Sequence, residues 1–260
     1  MGYFQAGFTD IVGGDNRPMP RYPFTFVQAD ALEYLSLHGH EFDAIHASPP
    51  CQAYSIMHNL PWLKDREYPA LILPTIELLE AIGKPYVLEN VMGARYGAKG
   101  LTKRSLEGHG LKAGWLCGTM FGLPFYRHRL FATNWFWLAP GHPKHQARIR
   151  PGSSLAGRAR EIVFSEGIVR PTPNRRKDRW VYGGKKKGLP GQMAGLNLTT
   201  WQNGAQSGGV GMGHTRGWQL AAEAMGIDWM NQYELTQAIP PVFTRHIGQQ
   251  LMKVLDGRPV

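Results

Sequence analysis

Cys51 stands in a stretch whose composition predicts a rigid loop. Residues 47–55 read A-S-P-P-C-Q-A-Y-S, and the two prolines fix φ and remove two backbone donors. The stretch is therefore expected to be neither a helix interior nor a central strand, but a stiff loop that presents a thiol. Taken alone, such a cysteine is more often a small hydrophobic residue in a turn, so its chemistry depends on partners elsewhere in the chain.

Three further side chains have the types that would support a reactive thiol. Glu89 follows a short apolar run, and Arg127 and Arg129 flank a histidine just before another such run. A carboxyl group can donate or accept a proton, and a guanidinium group stabilises developing negative charge. Each also has a purely structural interpretation, since a strand-end acid is commonly a cap or an ion-pair partner and alternating arginines commonly lie on a surface.

The elements that must position these residues alternate between strand and helix. The pattern predicts strands over 10–15, 24–28, 42–47, 86–88 and 130–133, and helices over 31–37, 68–82, 218–225 and 241–255. This alternation predicts an α/β fold, a mostly parallel sheet with helices on both faces. Ligands of such sheets bind beyond the carboxyl ends of the strands, which is where Asp15, Asp30, Cys51 and Glu89 fall. Asp30 is also placed to cap the helix that follows it.

The positive charge is confined to one segment. The chain of 260 residues has a formal net charge of +10. Residues 144–187 hold thirteen Lys/Arg and three Asp/Glu, and the remainder holds sixteen of each sign. A neutral body with one strongly basic segment indicates a polyanionic partner, whereas a membrane surface is disfavoured because the segment has no amphipathic helical pattern.

Composition excludes several classes of protein. The sequence contains no run of eighteen apolar residues and no signal-peptide pattern at its start, so we expect a soluble, cytoplasmic protein without a membrane partner. Two cysteines make no disulfide framework and suggest a reducing compartment. No Cys/His spacing is typical of zinc, and His142 and His145 are expected to lie on the surface, so no metal is predicted.

Four motifs together resemble the DNA cytosine-5 methyltransferase family, bacterial or phage type, over nearly the whole chain. They occur in the order of that family and are Pro50-Cys51-Gln52 with Ser55, Glu89-Asn90-Val91, Arg127-His128-Arg129 before Leu130-Phe131, and Ala238-Ile239-Pro240-Pro241 with Thr244, Ile247 and Gly248. The resemblance implies a Rossmann-like methyltransferase domain at 1–139, a small irregular basic target-recognition region at 140–213, and a return to the catalytic domain at 214–260.

The resemblance implies a role for each catalytic candidate. Cys51 would add to C6 of a cytosine flipped out of duplex DNA, which makes C5 electron-rich. Glu89 would donate a proton to N3, and Arg129 and Arg127 would stabilise charge near O2 and orient Glu89. The C5 atom would then take the methyl group of S-adenosylmethionine, and β-elimination would release the thiolate.

The resemblance also implies contacts with the cofactor and with DNA. Asp15 would bind the ribose hydroxyls, Asp30 the adenine amino group, and Pro50 and Thr244 would complete the pocket. The candidate DNA-binding residues are Gln52, Ser55, Arg170, Arg175, Arg176, Lys177, Arg179, Lys185, Lys186 and Lys187. A role in restriction–modification, in phage protection or as an orphan enzyme is left open.

The sequence departs from the family at its beginning. Met1 to Phe8 resemble the helix that follows the family's first strand and Gly-rich cofactor loop, neither of which is found. Because that strand is central in the family, its loss would leave unpaired backbone groups on both neighbouring strands, at roughly 1–3 kcal/mol each when buried. Three explanations are open: a truncated or misplaced start, a degenerate homologue, or a split enzyme whose missing strand comes from another polypeptide. Unless such a second polypeptide is present, we expect a monomer.

Two alternatives to an active methyltransferase follow from the residues. The chain could bind DNA through residues 144–187 without turnover. It could also be a cysteine hydrolase, with His46 or His58 as the base of Cys51, although Glu89 and the arginines would then have no role.

Overall fold

The structure, a computed structural model, describes residues 1–54, 66–95, 101–123, 127–143 and 218–260. In these ranges the fold is α/β. The strands are β1 (Val12–Asp15), β2 (Thr25–Gln28), β3 (Ile45–Ala47), β4 (Tyr86–Asn90), β5 (Lys112–Leu116) and β6 (Arg129–Thr133). The helices are α1 (Gly2–Ala6), α2 (Ala31–His38), α3 (Ile72–Ile82), α4 (Lys103–Gly108), α5 (Trp218–Met225), α6 (Gln232–Gln237) and α7 (Pro241–Leu255).

The strands form two sheets. β1 and β2 pair in parallel, and a second sheet has the order β3-β4-β6-β5. In that sheet β3 and β4 are parallel, whereas β6 is antiparallel to both β4 and β5. The prediction was a mostly parallel sheet; in this sheet the β3–β4 ladder is parallel, and the β4–β6 and β5–β6 ladders are antiparallel.

Helices cover both faces of the four-stranded sheet, as predicted. Tyr86 and Leu88 of β4 belong to an apolar cluster with Ile76 and Leu79 of α3. Val87, between them, belongs to a second cluster with residues of α7, because successive strand residues point to opposite faces. Every residue of β4 is buried, so this strand lies at the centre of the core.

The helix α1 packs closely on α7 and also contacts β3 and the segment just before β2. A Cβ atom on Gly2 would lie 2.0 Å from the Thr244 Oγ1, and one on Gly248 would lie 2.8 Å from the Ala6 Cβ, so both positions require glycine. From this helix, Tyr3 contacts His46 of β3, and Phe4 contacts Phe24 just before β2.

The two sheets share no ladder among the described residues. Among the described residues, β1 pairs with β2 alone and β3 pairs with β4 alone, so each keeps one edge outside the ladders. Each strand is short, which limits the number of unpaired groups on these edges.

Most of the predicted basic region lies outside the described residues. The predicted boundaries at 139/140 and 213/214 therefore stay predictions, although α7 packs on the four-stranded sheet. Within the described ranges, no helix has the length and hydropathy that crossing a membrane requires.

Candidate active site

The Pro-Pro loop places Cys51 beside the end of β4. The loop follows β3 directly, and the Asn90 side-chain amide donates to the Pro49 carbonyl at 2.9 Å. A turn closes after the cysteine, where the Tyr54 amide donates to the Cys51 carbonyl at 3.0 Å. Cys51 is a free, half-buried thiol in a loop, as predicted, and the stiffness of this loop stays a prediction.

Glu89 is a buried acid in the centre of the sheet. Its side chain is 9% exposed, and its Oε1 lies 3.0 Å from the Nε of Arg129. Glu89 is directly opposite Phe131 on the antiparallel strand β6, and Arg129, two residues before Phe131, lies diagonally from Glu89 on the same face of the sheet. Burial raises the pKa of Glu89, against the opposing effects of Arg129, a hydrogen bond from Ser48 and the more distant Arg127.

Cys51 lies within the electrostatic field of this ion pair. Burial is the largest influence and raises the pKa of the Cys51 thiol; Arg129 lowers it and Glu89 raises it. The thiol is therefore mainly protonated in the resting protein. The guanidinium of Arg129 is the group that would favour its thiolate.

Arg127 has a different environment from Arg129. It is buried, and its Nη2 donates to the Thr236 carbonyl of α6 at 2.6 Å. Burial, helped by the charge of Arg129, lowers the pKa of Arg127 to about 9. Arg127 thus links the start of β6 to the C-terminal helices, whereas Arg129 pairs directly with Glu89.

A hydrogen-bonded chain that the sequence analysis missed leads to Glu89. The Tyr3 hydroxyl lies 2.6 Å from His46 Nδ1, and His46 Nε2 lies 3.0 Å from the Ser48 Oγ, which in turn bonds to Glu89. Burial lowers the pKa of His46 to about 4, so its ring is neutral at pH 7. Burial and the charge of Glu89 raise the pKa of Tyr3, so Tyr3 keeps its proton.

The neutral states set the direction of this chain. A neutral imidazole has one donor and one acceptor nitrogen. If Tyr3 donates to Nδ1, then Nε2–H donates to Ser48, and the Ser48 hydroxyl donates to the Glu89 carboxylate. Both ring nitrogens of His46 are therefore hydrogen-bonded, one to Tyr3 and one to Ser48, which leaves neither to act as the base of a cysteine hydrolase. His58, the other candidate base, lies outside the described residues.

The candidate cofactor residues lie at the edge of the two-stranded sheet. Asp15 ends β1, and its Oδ1 accepts from the Arg17 amide at 2.8 Å. Asp30 caps α2, as predicted, and its Oδ1 accepts from the amides of Leu32 and Glu33 at 2.9 and 3.0 Å. The Ala29 amide donates to the Asp15 carbonyl at 3.1 Å, which keeps the two acids at one edge.

The remaining predicted residues are distributed differently. Pro50 is exposed in the loop before Cys51, and Gln52 is exposed in the turn after it. Thr244 is buried in the α1–α7 contact, where its hydroxyl donates to the Pro241 carbonyl at 3.2 Å. Ser55 and the predicted basic DNA contacts from Arg170 to Lys187 lie outside the described residues.

Comparisons with known proteins give weak likenesses. No family model matches the chain, and no curated protein does. Among solved structures, the chain is similar to a triple alanine mutant of Spodoptera frugiperda DNMT2, with 13% identity, 98% of this chain and 96% of that chain covered, and a TM-score of 0.45.

It is also similar to a putative DNA modification methyltransferase encoded within an E. coli prophage, with 14% identity, 98% and 95% of the two chains covered, and a TM-score of 0.44. Both TM-scores lie below 0.5. The assignment of chemistry to this chain therefore depends on its own motifs and geometry.

Proposed function

We propose that this chain is a DNA cytosine-5 methyltransferase, which transfers a methyl group from S-adenosylmethionine to C5 of a cytosine flipped out of duplex DNA. The observation that carries this proposal is the cluster at the end of β4: a buried Glu89 paired with Arg129 at 3.0 Å, and a free thiol, Cys51, whose pKa responds to both. The order of the four sequence motifs supports the same chemistry.

Cys51 starts the reaction by adding to C6 of the cytosine. The S–C6 bond forms as the thiol gives its proton to solvent, and the electrons of the C5–C6 double bond move toward N3. Arg129 favours the thiolate, because it is the positive charge that lowers the pKa of Cys51. The Pro-Pro loop would hold the sulfur in place during this step, so that orienting it costs little conformational entropy.

Glu89 balances the charge that develops on the ring. Burial raises its pKa and so favours the protonated form that would donate to N3, and Arg129 lies 3.0 Å from the carboxyl group. Tyr3, His46 and Ser48 support Glu89 from the other side through their hydrogen bonds. They are positioning residues, since none of them contacts the reacting atoms in this proposal.

The two acids at the carboxyl ends of β1 and β2 suit S-adenosylmethionine. Asp15 would accept from the ribose hydroxyls, Asp30 from the adenine amino group, and the exposed Pro50 would pack near them. Bound there, this cofactor supplies a methyl group on a positively charged sulfur. The C5 atom would take that methyl as its bond to the cofactor's sulfur breaks. C5 would then lose its proton to solvent, the N3 proton would return to Glu89, and the S–C6 bond would break to restore the Cys51 thiolate. A cofactor contact of Thr244 stays a prediction.

A duplex that contains 5-fluorocytosine tests this proposal. Fluorine at C5 cannot leave as a proton does, so elimination stops and the protein stays bound covalently to the DNA. With S-adenosylmethionine present, we expect an adduct that survives denaturation, and peptide mapping should find it on Cys51. Cys51→Ser should form none. A duplex with ordinary cytosine is the control, because its adduct resolves into methylated product.

The role of the Glu89 carboxyl group is tested by a matched pair of variants. Glu89→Gln should slow adduct formation, whereas Glu77→Gln, an exposed acid of α3, should not. If the wild-type protein forms no adduct although it binds both DNA and S-adenosylmethionine, the proposed chemistry is wrong.

A second function, DNA binding without turnover, is favoured by the divided sheet. The cofactor acids lie on the two-stranded sheet and the thiol lies after a strand of the four-stranded one, and these sheets share no ladder in the described residues. A strand from another polypeptide, paired between β1 and β3, would join them. Calorimetric titration separates the cases: binding of S-adenosylmethionine supports the enzyme, and DNA binding alone supports the module.

A further inference from the structure

Three metal-ligand side chains meet at one end of the β5–β6 pair. The Cys117 Sγ and one ring nitrogen each of His128 and His142 all lie within 4.8 Å of one another. Cys117 is buried and follows β5 directly, His128 is half-buried and precedes β6, and His142 is exposed in the segment after β6. The sequence spacing hides this group, because no two of the three residues are close along the chain.

We propose that Cys117, His128 and His142 bind a divalent transition-metal ion, with Zn²⁺ as the natural ligand and water at the fourth position. One thiolate and two imidazoles are ligands that zinc prefers, whereas Mg²⁺ and Ca²⁺ prefer oxygen. Three protein ligands and one water complete a tetrahedron. This proposal does not depend on the methyl-transfer proposal.

Sheet register places two of the ligands. Leu116 pairs with Arg129 at the last rung of the antiparallel β5–β6 ladder. One further step along both strands brings Cys117 opposite His128, so their side chains share a face of the sheet. This arrangement is set by the ladder and does not require metal.

Aromatic packing places the third ligand. The ring centroid of Trp115 lies 5.2 Å from that of His128 and 4.7 Å from that of His142, and the two histidine rings lie 5.7 Å apart. Trp115 therefore holds both imidazoles on the same side of the sheet as Cys117. The Thr119 hydroxyl lies 3.2 Å from the Cys117 Sγ, and it would donate to that sulfur as a thiolate.

The remaining adjustment is small. Zinc bonds of about 2.3 Å to sulfur and 2.0–2.1 Å to nitrogen place tetrahedral ligand atoms roughly 3.3–3.6 Å apart. Because the ligand atoms all lie within 4.8 Å of one another, no separation has to close by more than about 1.5 Å to reach these values. The exposed His142 can make most of this movement by side-chain rotation, without moving the buried Cys117.

The position of the cluster would let a bound metal join two segments of the chain. His128 lies between Arg127 and Arg129, and His142 lies two residues before the basic segment 144–187. A metal held by all three ligands would fix the segment that enters the basic region to the start of β6.

Cobalt titration of the full chain tests the site. After treatment with a chelator, the protein should take up one equivalent of Co²⁺ and show visible d–d bands of a tetrahedral ion and a near-ultraviolet thiolate-to-cobalt band. Zn²⁺ should remove both. Because the chain has two cysteines, Cys51→Ser is a matched control for Cys117→Ser. The thiolate band should survive the first change and disappear with the second.

A change at the exposed ligand, His142, should remove a metal ligand without disturbing the fold. His142→Asn should weaken Co²⁺ binding by at least the ~10–100-fold that loss of an outer-shell partner costs, with an unchanged circular dichroism spectrum. The proposal is overturned if no saturable one-equivalent binding occurs, if the thiolate band follows Cys51, or if His142→Asn binds as the wild type does. Each result is independent of adduct formation with 5-fluorocytosine.

Discussion

The two sheets carry acids at similar strand ends but place them in different environments. Glu89 lies on a strand that is buried throughout, and its pKa is raised by that burial. Asp15 ends β1 and Asp30 comes shortly after β2, both strands of mixed exposure, and both acids accept hydrogen bonds from backbone amides beside solvent. Desolvation changes an acid's chemistry, whereas backbone hydrogen bonds fix its place. The four-stranded sheet is thus suited to proton transfer, and the two-stranded sheet to binding polar groups.

The largest effect should follow from neutralising the buried acid. Glu89→Gln keeps the shape of the side chain but removes the proton that it would give to N3. We expect methyl transfer to fall by about 10²–10⁴-fold, the usual contribution of a general acid. Tritium transfer from labelled S-adenosylmethionine to duplex DNA measures it. A fall of less than threefold, when Glu77→Gln is unchanged, would rule out Glu89 as the proton donor.

Arg129→Ala should destabilise the fold more than removal of an exposed arginine. The change leaves Glu89 buried without its partner, and breaking a buried pair costs about 3–5 kcal/mol. We expect a loss near 3 kcal/mol, because the Arg129 side chain is 20% exposed. Urea denaturation measures the free energy of unfolding at neutral pH.

Arg21→Ala is the matched control for that variant. Arg21 pairs with Glu234 at 2.6 Å, but its side chain is 46% exposed, and a solvated pair contributes little. Equal losses for the two variants would show that burial of Glu89 does not distinguish the two ion pairs.

His46 should make the fold less stable as the pH falls below 6.5. Its ordinary pKa is 6.5, and burial lowers it to about 4 in the folded state. The unfolded chain therefore binds more protons between these values, and stability falls as pH drops from 6.5 toward 4, by about 1.4 kcal/mol per pH unit at most. Glu89 acts in the opposite sense, since its raised pKa favours the folded state at low pH.

Because these two groups oppose each other, the effect of His46 is isolated by comparison. His46→Asn keeps a polar side chain but cannot titrate, so its stability should lose the part of the slope between pH 4 and 6.5 that belongs to the imidazole. Denaturation curves of both proteins across this window measure the difference. Parallel pH profiles would show that His46 is not buried in its neutral form.

Local patterns predicted much of the fold, whereas contacts between distant segments were missed. The helix over 218–225, the strand ends and the Asp30 cap follow from periodicity and capping chemistry, which act over a few residues. β5 was missed because Ala113 and Gly114 interrupt its apolar pattern. The link from Tyr3 to His46 depends on two glycines in separate helices, and no local signal marks it.

The site shows the same division. Cys51 and Glu89 could be singled out because a Pro-Pro loop and a strand-end acid are local features. The grouping of Cys117, His128 and His142 could not, because it depends on the register of β5 with β6 and on the packing of Trp115. Sequence reasoning had placed His142 on the surface, where it does lie, without its neighbours.

The smallest effect separates two roles of Asp30. Its Oδ1 accepts both amides at the start of α2, so Asp30→Ala should cost about 1 kcal/mol of stability. Asp30→Asn should cost almost none, since asparagine caps equally well. In that variant, however, the cap needs the carbonyl oxygen, and the NH₂ group would then face the adenine amino group, donor against donor.

Calorimetric titration of Asp30→Asn therefore measures the contribution of Asp30 to cofactor binding without a change in helix capping. If Asp30 binds the adenine amino group, Asp30→Asn should weaken S-adenosylmethionine binding by roughly tenfold, the loss of about 1.4 kcal/mol, while its denaturation curve matches the wild type. Equal affinity in the two proteins would leave Asp30 as a helix cap alone. Asp15 would then be the acid of the two-stranded sheet left to bind the cofactor. The contrast between polar binding by that sheet and proton transfer by the four-stranded sheet would depend on Asp15 alone.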